Sequence, residues 1–102
     1  MDLEKLYKLK EALDDFLENI EMDGVCGFWS HITNEEERER PNFSPTGEDF
    51  AVYVVLDMEW LHSQNKSRDL LANRIRKDVK NMIRDYLNLN VYVGSMVKLQ
   101  CD

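Results

Sequence analysis

Turn-formers, cysteines and long apolar runs are all scarce in this chain. Its 102 residues include four glycines, two prolines and two cysteines. So little glycine and proline excludes collagen-like and low-complexity architectures. Cys26 and Cys101 lie far apart in the sequence, and neither belongs to a CxxC pair or to a zinc-finger spacing. They are expected to be small buried hydrophobes in a reducing compartment. No apolar run approaches the roughly 18 residues of a membrane span. The start, Met1, Asp2, Leu3 and Glu4, lacks a basic n-region and an apolar h-region. A cytoplasmic chain without membrane contact is expected. A phosphate-cradling glycine loop, a nucleophile elbow and an HExxH spacing are also missing. The reading is therefore a non-enzyme with no cofactor.

What is present describes one folded domain over residues 1–102. Hydrophobic residues make up 43% and charged residues 32%, enough apolar material for a core at this length. The net charge of -7 is uneven. Residues 1–49 hold 14 acids against 5 bases, whereas residues 50–102 hold 6 acids against 8 bases. A net acidic chain has no general attraction for phosphate backbones, which argues against nucleic acid as a partner.

Leu6, Leu9, Leu13, Phe16, Leu17 and Ile20 recur at helical spacing, with Asp2 placed to cap the helix and Gly24 to end it. Leu71, Ile75, Val79, Met82, Ile83, Tyr86 and Leu87 mark a second helix between Ser67 and Asn88. β-Formers mark strands at 25–33, 48–62 and 90–101. Between the first two, "NEEERERPNFSPTGE" at 34–48 predicts a flexible charged loop. The expected fold is an α+β two-layer sandwich of order α-β-β-α-β, with a three-stranded, mainly antiparallel sheet and two helices on one face.

Side chains alternate across a strand, so parity divides the sheet. Phe50, Val52, Val54, Leu56, Met58 and Trp60 form the expected core face of the middle strand. Val91, Val93, Val97, Leu99 and Cys101 match them in the last strand, and Cys26, Phe28 and Ile32 in the first. The opposite face would carry Val25, Trp29, His31, Tyr53, Val55, Asp57, Glu59, Leu61, Tyr92, Met96, Lys98 and Gln100. Two helices cannot cover both faces, so an aromatic surface of Trp29, Tyr53, Val55, Tyr92 and Met96 is left open as an interface. A homodimer or higher homo-oligomer, or a protein partner, would bury it.

Two other chemistries compete. On the second helix, Arg76, Lys77, Lys80 and Arg84 form a basic stripe that could follow a phosphate backbone. Asp69, Asp78 and Asp85 on the same helix offset it, as mixed charge on an exposed helix ordinarily does. His31, Asp57 and Glu59 converge by parity as weak candidates for a divalent metal. A thiol nucleophile fails, because the cysteines take the core parity and His31 the other.

The element order, with "LLANRIRKDVKNMIRDYL" as its second helix, is similar to that of type II K-homology RNA-binding domains and related ribosome-maturation factors. Such a likeness implies single-stranded nucleic-acid binding, through a glycine-containing clamp that this helix lacks. The compact chain with an uncapped sheet also resembles small bacteriophage accessory or assembly proteins.

Overall fold

A computed structural model describes residues 3–33, 46–99 and 101. Chain order is α1 (Leu3–Glu18), β1 (Val25–Ile32), a 3-10 turn (Gly47–Asp49), β2 (Phe50–Asp57), α2 (Met58–Ser63), α3 (Arg68–Leu87) and β3 (Tyr92–Lys98). The class is α+β, with three α-helices among the described residues where two were expected. Most of the charged loop, residues 34–45, lies outside the described residues, as does the Asp2 cap. The loop's described end is ordered: Thr46 and Asp49 close a reciprocal capping box, and Thr33 N–H donates to Asp49 O at 2.7 Å.

β2 is the central strand, in the order β1-β2-β3. It pairs antiparallel with β1 and parallel with β3, so the sheet is mixed rather than mainly antiparallel. The reason is the connection. After β2 the chain runs through α2 and α3 before it returns, and such a crossover brings the next strand back in the same direction.

One core holds Leu6, Leu13 and Leu17 of α1, Phe50, Val52, Val54 and Leu56 of β2, and Leu71, Ile75, Val79 and Ile83 of α3. The even parity expected for β2 is therefore correct as far as Leu56. Each of these side chains removes apolar surface worth about 1.5–3 kcal/mol from water, which fixes the side of the sheet that the two long helices cover.

Parity fails at one end of the sheet, in all three strands. β2 stops at Asp57, whose Oδ1 accepts the N–H groups of Glu59 at 2.9 Å and Trp60 at 3.4 Å and so caps α2. Leu61, expected on the open face, is instead buried in the core, and Glu59 leaves the sheet. In β1 a bulge lies between Val25 and Gly27. It turns Val25, also expected on the open face, toward the core beside Leu56. At the end of β3, Val97 and Leu99 are exposed at 47% and 76%, so the core stops short of that strand's expected length.

Local chemistry explains the helix ends. α1 ends at Glu18, where Asn19 N–H turns back to Phe16 O and the Asn19 side chain donates to Asp15 O. Gly24, six residues later, instead turns the chain into β1 at φ +81°, with the Trp60 indole lying where a Cβ would project. α3 ends as expected at Asn88, in the left-handed region at φ 55°. Ser67 holds its N-cap position without a side-chain cap bond.

The cysteines are not free hydrophobes. Cys26 and Cys101 form a disulfide with a Cα–Cα distance of 5.2 Å. Flanking strands of a three-stranded sheet stand about 9.5 Å apart, twice the strand spacing. The bond is therefore made beyond the end of β2, where the bulge in β1 and the tail after β3 close over the turn into α2. A parity reading could not find this pair, because the bulge and the strand end both break the alternation.

Candidate functional site

Register places the open-face residues in rows across the sheet. His31, Ala51 and Tyr92 form the first row, and Trp29, Tyr53 and Gly94 the second. Gly27, Val55 and Met96 form the third, and Asp57 with Lys98 the last. All five expected interface residues thus share one face: Trp29, Tyr53, Val55, Tyr92 and Met96.

The aromatic rings form one cluster. Trp29 lies 4.9 Å from His31 and 5.4 Å from Tyr53, between ring centroids. His31 stacks on Tyr53 at 5.8 Å with planes 9° apart, and Tyr92 meets Tyr53 edge-on at 6.0 Å. Offset and edge-on contacts of this kind each add about 0.5–1.5 kcal/mol beyond area burial. The cluster shields Ala51, which is only 4% exposed although it lies on this face. It does not shield itself: Trp29, Tyr92 and Met96 are 52%, 60% and 40% exposed.

Two glycines shape the surface. Tyr53 lies over Gly94, where a Cβ would be 2.9 Å from the ring. This packing of an aromatic over a strand glycine covers backbone that would otherwise be bare. At Gly27 a Cβ would meet nothing within 4 Å, which leaves a gap in the face beside Trp29 and Val55. His31 Nδ1 is buried within the stack, with no hydrogen-bond partner among the described residues.

The basic stripe lies on the other layer. Ile75, Val79 and Ile83 turn one side of α3 into the core, so Lys77, Lys80 and Arg84 point away from the aromatic face. Arg76 reaches Ser95 of β3 and Asn73 of its own helix. Arg84 lies 3.5 Å from Asp85. Aromatic platform and cationic stripe therefore lie on different layers of the fold. The metal candidates separate as well, because Glu59 belongs to α2 and His31 lies in the row farthest from Asp57.

A polar clasp that parity did not flag holds the edge of the sheet. Ser30 takes a core-facing position in β1, opposite Val52, and its hydroxyl donates to Asp14 Oδ1 of α1. Lys10 Nζ donates to Asp14 Oδ2 at 2.7 Å and approaches Ser30 Oγ at 3.3 Å. These residues line a groove of about 730 Å³ between α1 and β1, with Glu18, Met22 and Phe28 among its walls. The serine at this parity was the sequence signal for the clasp. Its hydroxyl is held by the Asp14 carboxylate, so the arrangement fastens the edge strand to α1.

Among the described residues, no helix is long and apolar enough to cross a membrane. Comparison with protein families, curated proteins and solved structures finds no match to the chain.

Proposed function

We propose that this protein is a non-enzymatic interaction module that associates with a second copy of itself through the open sheet face. The observation that carries the proposal is the exposed cluster of Trp29, Tyr92 and Met96, backed by Tyr53 and Val55. Trp, Tyr and Met are enriched at the centres of protein interfaces, and an exposed aromatic cluster on a small domain loses free energy to water until it is covered.

Charge favours a second copy over nucleic acid. By register the face bears Asp57 and Lys98 at one end and no other charged residue among its described positions. One charge of each sign is self-complementary across a two-fold axis, because each Asp57 can meet the partner's Lys98. Nucleic-acid platforms surround their aromatics with cations for the phosphates, and here the basic stripe of α3 stands on the opposite layer. Cytoplasmic placement is part of the proposal. The disulfide makes it a sharper question, since a reducing cytosol opens such bonds and an oxidising compartment keeps them.

The test is Trp29→Glu and Tyr92→Glu, each followed by light scattering and circular dichroism. Both variants are expected to be folded monomers at concentrations where the parent is a dimer. A monomeric parent, or variants of unchanged mass, would refute the proposal.

A further inference from the structure

Three metal-ligating atoms meet where the sheet ends. The Sγ atoms of Cys26 and Cys101 and a carboxylate oxygen of Asp57 all lie within 4.8 Å of one another. They come from three parts of the fold: the bulge of β1, the tail after β3, and the last residue of β2. We infer that, once the disulfide is reduced, Cys26, Cys101 and Asp57 form a binding site for a thiophilic divalent cation, with Zn2+ as the natural occupant.

The geometry needs little change. Zn–S bonds of about 2.3 Å and Zn–O bonds of about 2.0–2.2 Å set tetrahedral ligand separations at roughly 3.5–3.8 Å. The two sulfurs must part from bonding distance to that separation, and the carboxylate oxygen, within 4.8 Å of both sulfurs, must come to the same separation from the other side. Cys101 is exposed and follows the last strand, so its segment can yield without disturbing the core. Asp57 is pinned in place because its Oδ1 caps α2. Its Oδ2 has no hydrogen-bond partner among the described residues and can take the metal. Two thiolates select Zn2+ over Mg2+ or Ca2+, which prefer all-oxygen sites. Water fills the fourth position, since three protein ligands leave one open.

The chemistry balances with a small thiol as reductant. Two thiol equivalents supply two electrons and two protons to the Cys26–Cys101 bond and leave as their own disulfide. Each cysteine thiol then loses its proton to solvent as Zn2+ binds, so uptake releases two protons and strengthens with rising pH.

The site is tested by calorimetric Zn2+ titration of the oxidised protein and of protein reduced with a phosphine. Co2+ serves as a spectroscopic probe of thiolate ligation. Reduced protein is expected to bind one ion per chain and to give a tetrahedral thiolate–cobalt spectrum, whereas oxidised protein gives neither. Cys101→Ser should abolish the cobalt spectrum. Asp57→Asn keeps a good cap residue and should weaken Zn2+ binding about tenfold or more, ligand loss costing at least as much as outer-shell loss. If reduction loosens the fold, added Zn2+ should restore its circular dichroism. Equal binding by the oxidised form, one ion per two chains, unchanged affinity in Asp57→Asn, or a loosened fold that Zn2+ does not restore would each overturn the inference.

Discussion

At Gly94 the centre of the open face has no side chain of its own, and the Tyr53 ring fills the space. Gly94→Ala sets a Cβ 2.9 Å from that ring and 3.1 Å from the Tyr92 hydroxyl, so the cluster must shift. We expect a loss of about 1–3 kcal/mol in urea denaturation, the usual cost of overpacking, together with altered Trp29 fluorescence. An unchanged midpoint would mean that the ring does not rest on the glycine. His31 gives the opposite expectation. Its Nδ1 is buried without a partner among the described residues while its ring stacks on Tyr53. His31→Phe keeps the stack and removes the unsatisfied nitrogen, and should raise stability by about 1 kcal/mol, read as a higher thermal midpoint. The identity of these ring residues was readable from sequence, because β1 after its bulge and β2 before Asp57 keep strict alternation. Their contacts were not, since parity gives a face and says nothing of which rings touch.

Elements fail to follow the sequence pattern where one residue changes the chain's direction. "DMEWLH" continues the apolar and β-forming run of β2, yet Asp57 ends the strand by capping α2 with its carboxylate. Asp57→Ala removes a cap that accepts two backbone N–H groups and should cost about 1 kcal/mol, with Asp57→Asn nearly neutral, both by urea denaturation. Equal losses in the two variants would contradict capping. A capping aspartate and a strand aspartate look alike in a sequence, so the short helix and the inward turn of Leu61 were hidden. The bulge at Val25 and Gly27 concealed the disulfide in the same way. Helices α1 and α3 were legible because their buried residues recur over more than three turns, and one local event cannot erase so long a period. The stripe of Arg76, Lys80 and Arg84 was also legible, but its function depended on which layer α3 occupies, and that is a tertiary fact.

Over the whole molecule, the disulfide ties residue 26 to residue 101 and closes a loop with a sequence separation of 75. By the chain-entropy relation such a loop contributes up to about 4.5 kcal/mol, and exposed bonds often deliver less. Cys26→Ser with Cys101→Ser should therefore lower stability in the oxidised protein while leaving the reduced protein's stability close to unchanged in metal-free buffer. That difference is read by parallel urea curves with and without reductant. Its absence would mean that the bond is not formed in solution. The bond lies at one end of the sheet and the aromatic cluster toward the other, so changes at Trp29 or Tyr92 read association and changes at Cys26 or Cys101 read the cysteine chemistry, whereas Asp57 bears on both. The central claim is that a second copy covers the aromatic face. Its most direct test is the mass of the native particle by light scattering across a concentration series. We expect twice the 12.1 kDa chain mass for the parent, falling to 12.1 kDa in a folded Tyr92→Glu variant. A parent that stays at 12.1 kDa at every concentration, or a variant that keeps the parent's doubled mass, would contradict it.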